Sequence, residues 1–302
     1  MQKRADQSAL SGRKEADGIA IRYDGKRVIL KWHRLRRRRS DPLFSADVLA
    51  EGLERGASME IDLRVASDGG FAVLHDASLD RETSGAGPVA ARTSEEIHAL
   101  HYAEPALDRM PRNVLVAEDL AMRLGPAHPE AVLQFDMKDD LQAVGERGVD
   151  RLGSLFAAYG EHLIVSGDDT DLTLAISERL PGTKRGLEPS FRLLDLYRVG
   201  RKGELEDQLI RELNGPIRPH MVYLSWRLVL DADADGMDLI RICHDHGALV
   251  DAWTFNPADP DGGFSDEEWN QFSRLLELGA DQITTDEAIA TEQAYWKRIS
   301  AG

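Results

Sequence analysis

The stretch at residues 59–76, MEIDLRVASDGGFAVLHD, reads as a strand, a turn and a second short strand. In its first half residues two apart share a face, so Glu60 and Asp62 project to the same side. SDGG at 67–70 is a turn signal between two alternating segments, and FAVLHD is expected to fold back on the end of the first strand as a hairpin. That return brings His75 near the two acids. A strand whose outer face is covered by helices must be apolar on that side, so Glu60 and Asp62 belong on the interior of a barrel.

Working outward, short β-branched or apolar runs alternate with longer amphipathic ones. The strand-like runs are VILKW ending at Trp32, SMEID at Asp62, AVLQFD at Asp136, HLIVS at Ser166, TKRGL at Leu187, MVYLS at Ser225, ALVDAWT at Thr254 and DQITT at Thr285. Helical patterns such as SADVLAEGLERG and DDTDLTLAISERL lie between them, so the expected fold is α/β, a (β/α)8 TIM barrel. The excursion at about 77–130 exceeds one crossover helix and reads as an insertion after the second strand, with helices near 93–100 and 114–124. Residues 1–26 lack a period and read as an arm or peripheral addition, leaving 27–302 as one barrel domain.

Composition narrows the function classes. The chain of 302 residues is 42% hydrophobic and 30% charged, ample for a large core. Its 37 basic and 53 acidic residues give a net charge of -16, which disfavours nucleic acid and anionic membranes as partners. Cys243 is the single cysteine, so no internal disulfide forms. No segment has the apolar length of a signal peptide core or a membrane span, and the expected location is the cytoplasm.

Glu60 and Asp62 fall at the carboxyl end of the second barrel strand and Asp136 at that of the third, where barrel enzymes hold their active sites. Three converging carboxylates cost several kcal/mol in repulsion and desolvation unless a cation offsets them. An all-oxygen set of ligands suits Mg2+ or Ca2+. Taken alone, E-x-D is equally well read as interior acids in salt bridges. His33, following the first strand, and His75 would emerge at the same mouth, and two histidines beside a divalent cation suit phosphodiester cleavage. Lys138 shares a strand face with Asp136 and is either a second positive charge for phosphoryl oxygens or a structural partner of that acid. The arginines at 36–39 read first as a solvated surface, second as a site for another phosphate, and last as a nucleic-acid contact. His98 with His101, and His244 with His246, lack a third ligand and read as surface pairs.

HR at 33–34, GASMEIDLRVASDGGFAVLHDASLDRETSGAG, LQFDMK, DAWTFN and ITTDEA, in that order, resemble the glycerophosphodiester phosphodiesterase family over roughly residues 28–290. The specific part is E-x-D, a D-G turn, HD and L-x-R-x-T in sequence. The resemblance implies metal-dependent hydrolysis of a small-molecule glycerophosphodiester to an alcohol and sn-glycerol 3-phosphate. It implies His33 and His75 as the acid/base pair, with His75 the acid, although either order fits the spacing. Glu60 and Asp62 match metal ligands, with Asp136 where the family usually has Glu. Arg34 and Lys138 match phosphate contacts, and Trp253 a tryptophan lining the substrate pocket. Attack would come from water or from a neighbouring substrate hydroxyl through a cyclic phosphate.

The chain departs from the family pattern at two places. HRG reads HRL, and ENT aligns with Leu43, Phe44 and Ser45, so a glutamate and a glycine are missing. Asp136 and the missing ENT also resemble sphingomyelinase D-like phospholipases, which however carry disulfides that one cysteine cannot make. A barrel that binds an anionic ligand without catalysis is the alternative from another class.

Overall fold

The computed structural model describes residues 15–103 and 110–301. Ten strands are present among these: β1 Ala20–Tyr23, β2 Lys26–Trp32, β3 Ser58–Val65, β4 Phe71–Val73, β5 Val132–Met137, β6 Leu163–Gly167, β7 Lys184–Leu187, β8 Met221–Ser225, β9 Leu249–Trp253 and β10 Gln282–Thr285. The described chain divides into two compact units, one of residues 42–187 and one joining the residues up to 41 with those from 188 onward. Each unit carries four parallel strands and one short antiparallel strand. Eight parallel strands, each followed by helix, make this the expected (β/α)8 TIM-barrel fold, and all eight strand-like runs read from the sequence are strands.

In the unit of residues 42–187 the order is β7-β6-β5-β3-β4. β3 is buried along almost its whole length, so Met59, Ile61 and Leu63 face the helical layer while Glu60, Asp62 and Arg64 alternate with them. The helix Ala46–Arg55 that precedes it starts on the Ser45 hydroxyl, which accepts from the Val48 amide, and stops at Gly56 in the left-handed region. A side chain at Gly56 would meet His128 Nδ1 at 2.5 Å, so glycine is required there for space as well as for φ. The insertion holds the helices Ser94–His98 and Ala117–Arg123, within the two expected spans, while residues 104–109 lie outside the described ones.

In the other unit the order is β1-β2-β10-β9-β8. Trp32, fully buried at the end of β2, donates its indole N–H to the Gly18 carbonyl at 2.7 Å. The Asp17 and Gly18 amides donate to Glu292 at 2.9 and 2.7 Å, and Ile19 and Ile21 are buried. The segment at 17–23, expected within a peripheral arm, is therefore stitched into this unit; residues 1–14 lie outside the described ones. Four residues, AIRY, are too few to show a period. No helix among the described residues is long and apolar enough to cross a membrane.

Candidate functional site

β3 and β5 pair in parallel register with Asp62 opposite Asp136 and Glu60 opposite Gln134. Glu60 and Asp62 are 3% and 1% exposed, and carboxylate oxygens of Glu60, Asp62 and Asp136 lie within 4.8 Å of one another. Lys138 continues β5, its amide donating to the Leu63 carbonyl at 3.1 Å, and its ammonium lies 3.0 Å from Asp62 and 2.5 Å from Asp136. Lys138 is thus an ion-pair partner of both acids, the second of its two sequence readings. Three oxygen ligands this close on two rigid strands fit a hard divalent cation, and one ammonium offsets only part of their charge.

His75 follows β4 in the expected hairpin. The turn is fixed by Gly69 at φ 75° and by Asp68, which accepts from the Gly70 amide and from the Ser94 hydroxyl at 3.2 and 2.8 Å. Hydrogen bonds hold Asp68 below the usual carboxylate range against the opposing effect of burial. Beyond the hairpin, Glu82 accepts from the amides of His75 and Asp76 at 3.0 and 2.7 Å, while His75 Nδ1 donates to Asp76 at 3.0 Å. Arg81 grips Asp76, and its hydrogen bond, with help from His75 and against burial, lowers the Asp76 carboxyl to about 2. The L-x-R-x-T pattern is thereby explained: Leu79 is buried, Arg81 holds Asp76, and the Thr83 hydroxyl closes the turn on the Leu79 carbonyl at 2.8 Å. His75, Asp76 and Glu82 also bring ligand atoms within 4.8 Å, but Arg81 and the two amides already use this cluster as the scaffold of the loop.

Arg64 is a residue that the sequence reading passes over. It donates to the His75 carbonyl at 2.9 Å, to the Lys138 carbonyl, and to Asp139 at 2.9 Å. One guanidinium thus ties the backbone of His75 to the end of β5. The signal was available in E-x-D-x-R, where the strand period puts Arg64 on the face of Glu60 and Asp62.

In the other unit, His33 opens a short 3-10 turn after β2. Arg34 and Leu35 both have φ 52°, the left-handed conformation that glycine adopts without strain, and Leu35 is fully buried. Leu35 thus places a core side chain at a backbone conformation that glycine adopts without strain. The ENT-equivalent positions are likewise structural: Phe44 is buried beside Tyr102, the Leu43 carbonyl accepts from Arg112 at 2.6 Å, and Ser45 is the helix cap.

His33 Nδ1 donates to Asp286 Oδ1 at 2.8 Å, and Arg36 reaches the same oxygen at 2.5 Å. Asn256 donates to the other oxygen at 2.9 Å and accepts from the Asp286 amide at 2.7 Å. Burial alone would raise the Asp286 carboxyl, but His33, Arg36 and Asn256 together hold it well below the usual range. Asp286 was not singled out from sequence, and the reading of 36–39 as a purely solvated run is corrected. Arg36 turns inward to Asp286, Arg37 pairs with Asp41 at 3.2 Å, and the Arg39 amide donates to Glu287 at 3.0 Å. His244 and His246 lie at the surface as expected, on Asp281 at 2.8 Å and on the Ile242 carbonyl at 2.8 Å, whereas His98 and His101 are of intermediate burial, with His98 Nδ1 on the Val114 carbonyl at 3.0 Å.

Trp253 ends β9 with its ring edge-on to the exposed Phe191, centroids 5.8 Å apart. Two residues earlier on β9, the fully buried Asp251 accepts from Lys31 at 2.7 Å, from Gln282 at 2.5 Å and from the Thr284 hydroxyl at 2.8 Å.

A sequence profile of the glycerophosphoryl diester phosphodiesterase family matches residues 45–152, just over a third of the chain. That span includes Glu60, Asp62, His75, Asp136 and Lys138 but not His33, Arg34 or Trp253. No curated protein matches the sequence. Among solved structures, a glycerophosphodiester phosphodiesterase from Agrobacterium tumefaciens superposes with a TM-score of 0.60 at 16% identity, covering 89% of this chain and 99% of that one. One from Parabacteroides distasonis gives 0.61 at 16% identity, over 89% and 97%. A phosphodiesterase from Oleispira antarctica in complex with the product sn-glycerol-3-phosphate gives 0.57 at 16% identity, over 88% and 96%. At these identities the likeness shows the fold, and the profile match, which covers the E-x-D hairpin and the FDMK strand, makes residues 45–152 similar to the glycerophosphoryl diester phosphodiesterase family.

Proposed function

We propose that the chain is a metal-dependent phosphodiesterase that hydrolyses a glycerophosphodiester to an alcohol and sn-glycerol 3-phosphate. The observation that carries this reading is the cluster of Glu60, Asp62 and Asp136 with Lys138, on strands of the family-matched segment. Glu60, Asp62 and Asp136 would hold the divalent cation, Mg2+ or Ca2+, which when bound supplies positive charge against the phosphoryl oxygens. Arg34 and Lys138 bind those oxygens as cations of the chain itself. His33 takes the proton of the attacking water as its oxygen bonds to phosphorus. His75 gives a proton to the departing alcohol oxygen as the other phosphorus–oxygen bond breaks. Trp253 contacts the organic part of the substrate. The carboxylates at Nδ1 of both histidines support this assignment, because each stabilises a ring that gains or gives its proton at Nε2.

The test is release of sn-glycerol 3-phosphate from a panel of glycerophosphodiesters in Mg2+, Ca2+ or EDTA. Wild type is compared with Glu60→Ala and His75→Ala. Release that needs metal and falls about 10²- to 10⁴-fold on loss of the histidine supports the reading. Folded protein that is silent across the panel, or release indifferent to EDTA and to Glu60→Ala, overturns it.

A further inference from the structure

We infer that Asp286 is the positioning residue of His33, fixing which ring nitrogen faces the substrate. The inference rests on the proposed role of His33 as a proton carrier. β10 and β2 are parallel neighbours with Thr285 opposite Trp32, so Asp286 and His33 are the next residue along each strand. That register brings a short carboxylate to His33 Nδ1 at 2.8 Å across 253 residues of sequence. An Nδ1–H committed to a carboxylate leaves Nε2 as the nitrogen that exchanges the proton.

The carboxylate is itself immobilised. Arg36 holds Oδ1, Asn256 holds Oδ2, and Asn256 also receives the Asp286 amide. The side chains of Asp286 and Arg36 are 13% and 14% exposed, so this grip is little weakened by solvent. The other histidine is built the same way, with His75 on Asp76 and Asp76 on Arg81. There the carboxylate is the adjacent residue, whereas His33 takes its own from the last barrel strand. Two copies of one His–carboxylate–Arg arrangement, assembled from unrelated segments, point to orientation of the rings rather than to an incidental salt bridge. They also give Arg36, first in the run at 36–39, a definite task.

The experiment uses the full chain as wild type, Asp286→Ala, Asp286→Asn and His33→Ala. Asparagine keeps the size of Asp286, but His33, Arg36 and Asn256 all present donors to it, and an amide cannot accept from all three. The first readout is the ring-nitrogen NMR spectrum of His33 in alkaline buffer, assigned by its absence in His33→Ala. Wild type should show the Nδ1–H tautomer, and both Asp286 variants should move toward Nε2–H. The second is kcat against KM for the diester: kcat should fall about 10²-fold with little change in KM. A purely structural salt bridge would lower thermal stability and leave the tautomer unchanged. An unchanged tautomer in both Asp286 variants overturns the inference, as does an unchanged kcat where His33→Ala is inactive. If His33→Ala retains full activity, the proposed role of His33 falls, and the tautomer shift alone decides whether Asp286 sets the ring. If the alanine variant does not fold, the asparagine variant carries both readouts.

Discussion

Replacing Lys138 with Met tests what the acidic cluster is for. The methionine keeps most of the apolar stem but removes an ammonium 3.0 Å from Asp62 and 2.5 Å from Asp136. Removing one partner of a buried ion pair costs about 3–5 kcal/mol. The Lys138 side chain is 19% exposed, which places the loss at the lower end, about 3 kcal/mol. Unfolding entropy of about 2.1 cal/mol/K per residue, over 302 residues, gives roughly 0.63 kcal/mol/K. In EDTA the variant should therefore melt about 5 °C below wild type.

Saturating Mg2+ or Ca2+ should then raise its Tm by more than it raises that of wild type, because the incoming cation no longer competes with a resident one. The excess should approach the same 5 °C, the deficit that the metal makes good. Thermal unfolding followed by circular dichroism at neutral pH reads both numbers without any substrate. Coincident melting of variant and wild type in EDTA would show that Lys138 does not neutralise these acids. An equal rise with metal in both would show that the ion binds elsewhere, and the proposed ligand set would fail with it.

Three other substitutions follow from the same reasoning. Leu35→Gly relieves about 1–2 kcal/mol of left-handed strain but forfeits a fully buried side chain worth about 3–5 kcal/mol, so urea unfolding should find it less stable by about 1–4 kcal/mol; a gain would show that the side chain is not part of the core. Arg64→Ala should lower kcat for the diester about tenfold or more, with Arg64→Lys recovering little because an ammonium cannot reproduce a fork to two carbonyls and Asp139; wild-type kcat in the alanine variant would refute its bracing role. The Asp286 carboxyl is held below its unfolded value, so its stabilisation is complete above about pH 4 and is lost as pH falls towards the folded value. Urea midpoints of wild type and Asp286→Asn should therefore differ at neutral pH and converge in acid, and a gap that widened in acid would reverse the sign of this argument.

What the sequence disclosed was whatever is local. The eight barrel strands recur as apolar or β-branched runs between amphipathic helical patterns, and the hairpin is announced by SDGG. The acids of β3 and the His75–Asp76 pair are neighbours in the chain. What it withheld depends on register between distant strands. Asp286 reads as one acid among 53 until β10 is laid beside β2, and Asn256 matters only because it meets Asp286. The positions where the family glycine and glutamate are absent carry structural tasks that only the fold discloses. In the structure Leu35 fills the core from a left-handed backbone position, and Ser45 starts a helix.

The layer beneath His33 explains how that register is kept. Lys31, Asp251 and Thr284 lie two residues before His33, Trp253 and Asp286 on β2, β9 and β10, and all three are buried. Asp251 accepts from Lys31, Gln282 and Thr284, and Lys31 also lies 4.2 Å from the Tyr223 ring centre on β8. A buried ion pair of this kind adds little stability over an apolar layer of the same volume. Its effect is on alternatives: sliding β2 by one residue would turn Lys31 onto the face that packs against helices and leave the Asp251 carboxylate without its countercharge, at a cost of several kcal/mol. An apolar layer would tolerate that slip far more readily. The slip would also move His33 away from Asp286, so the buried charge pair favours the register on which the His33–Asp286 contact depends.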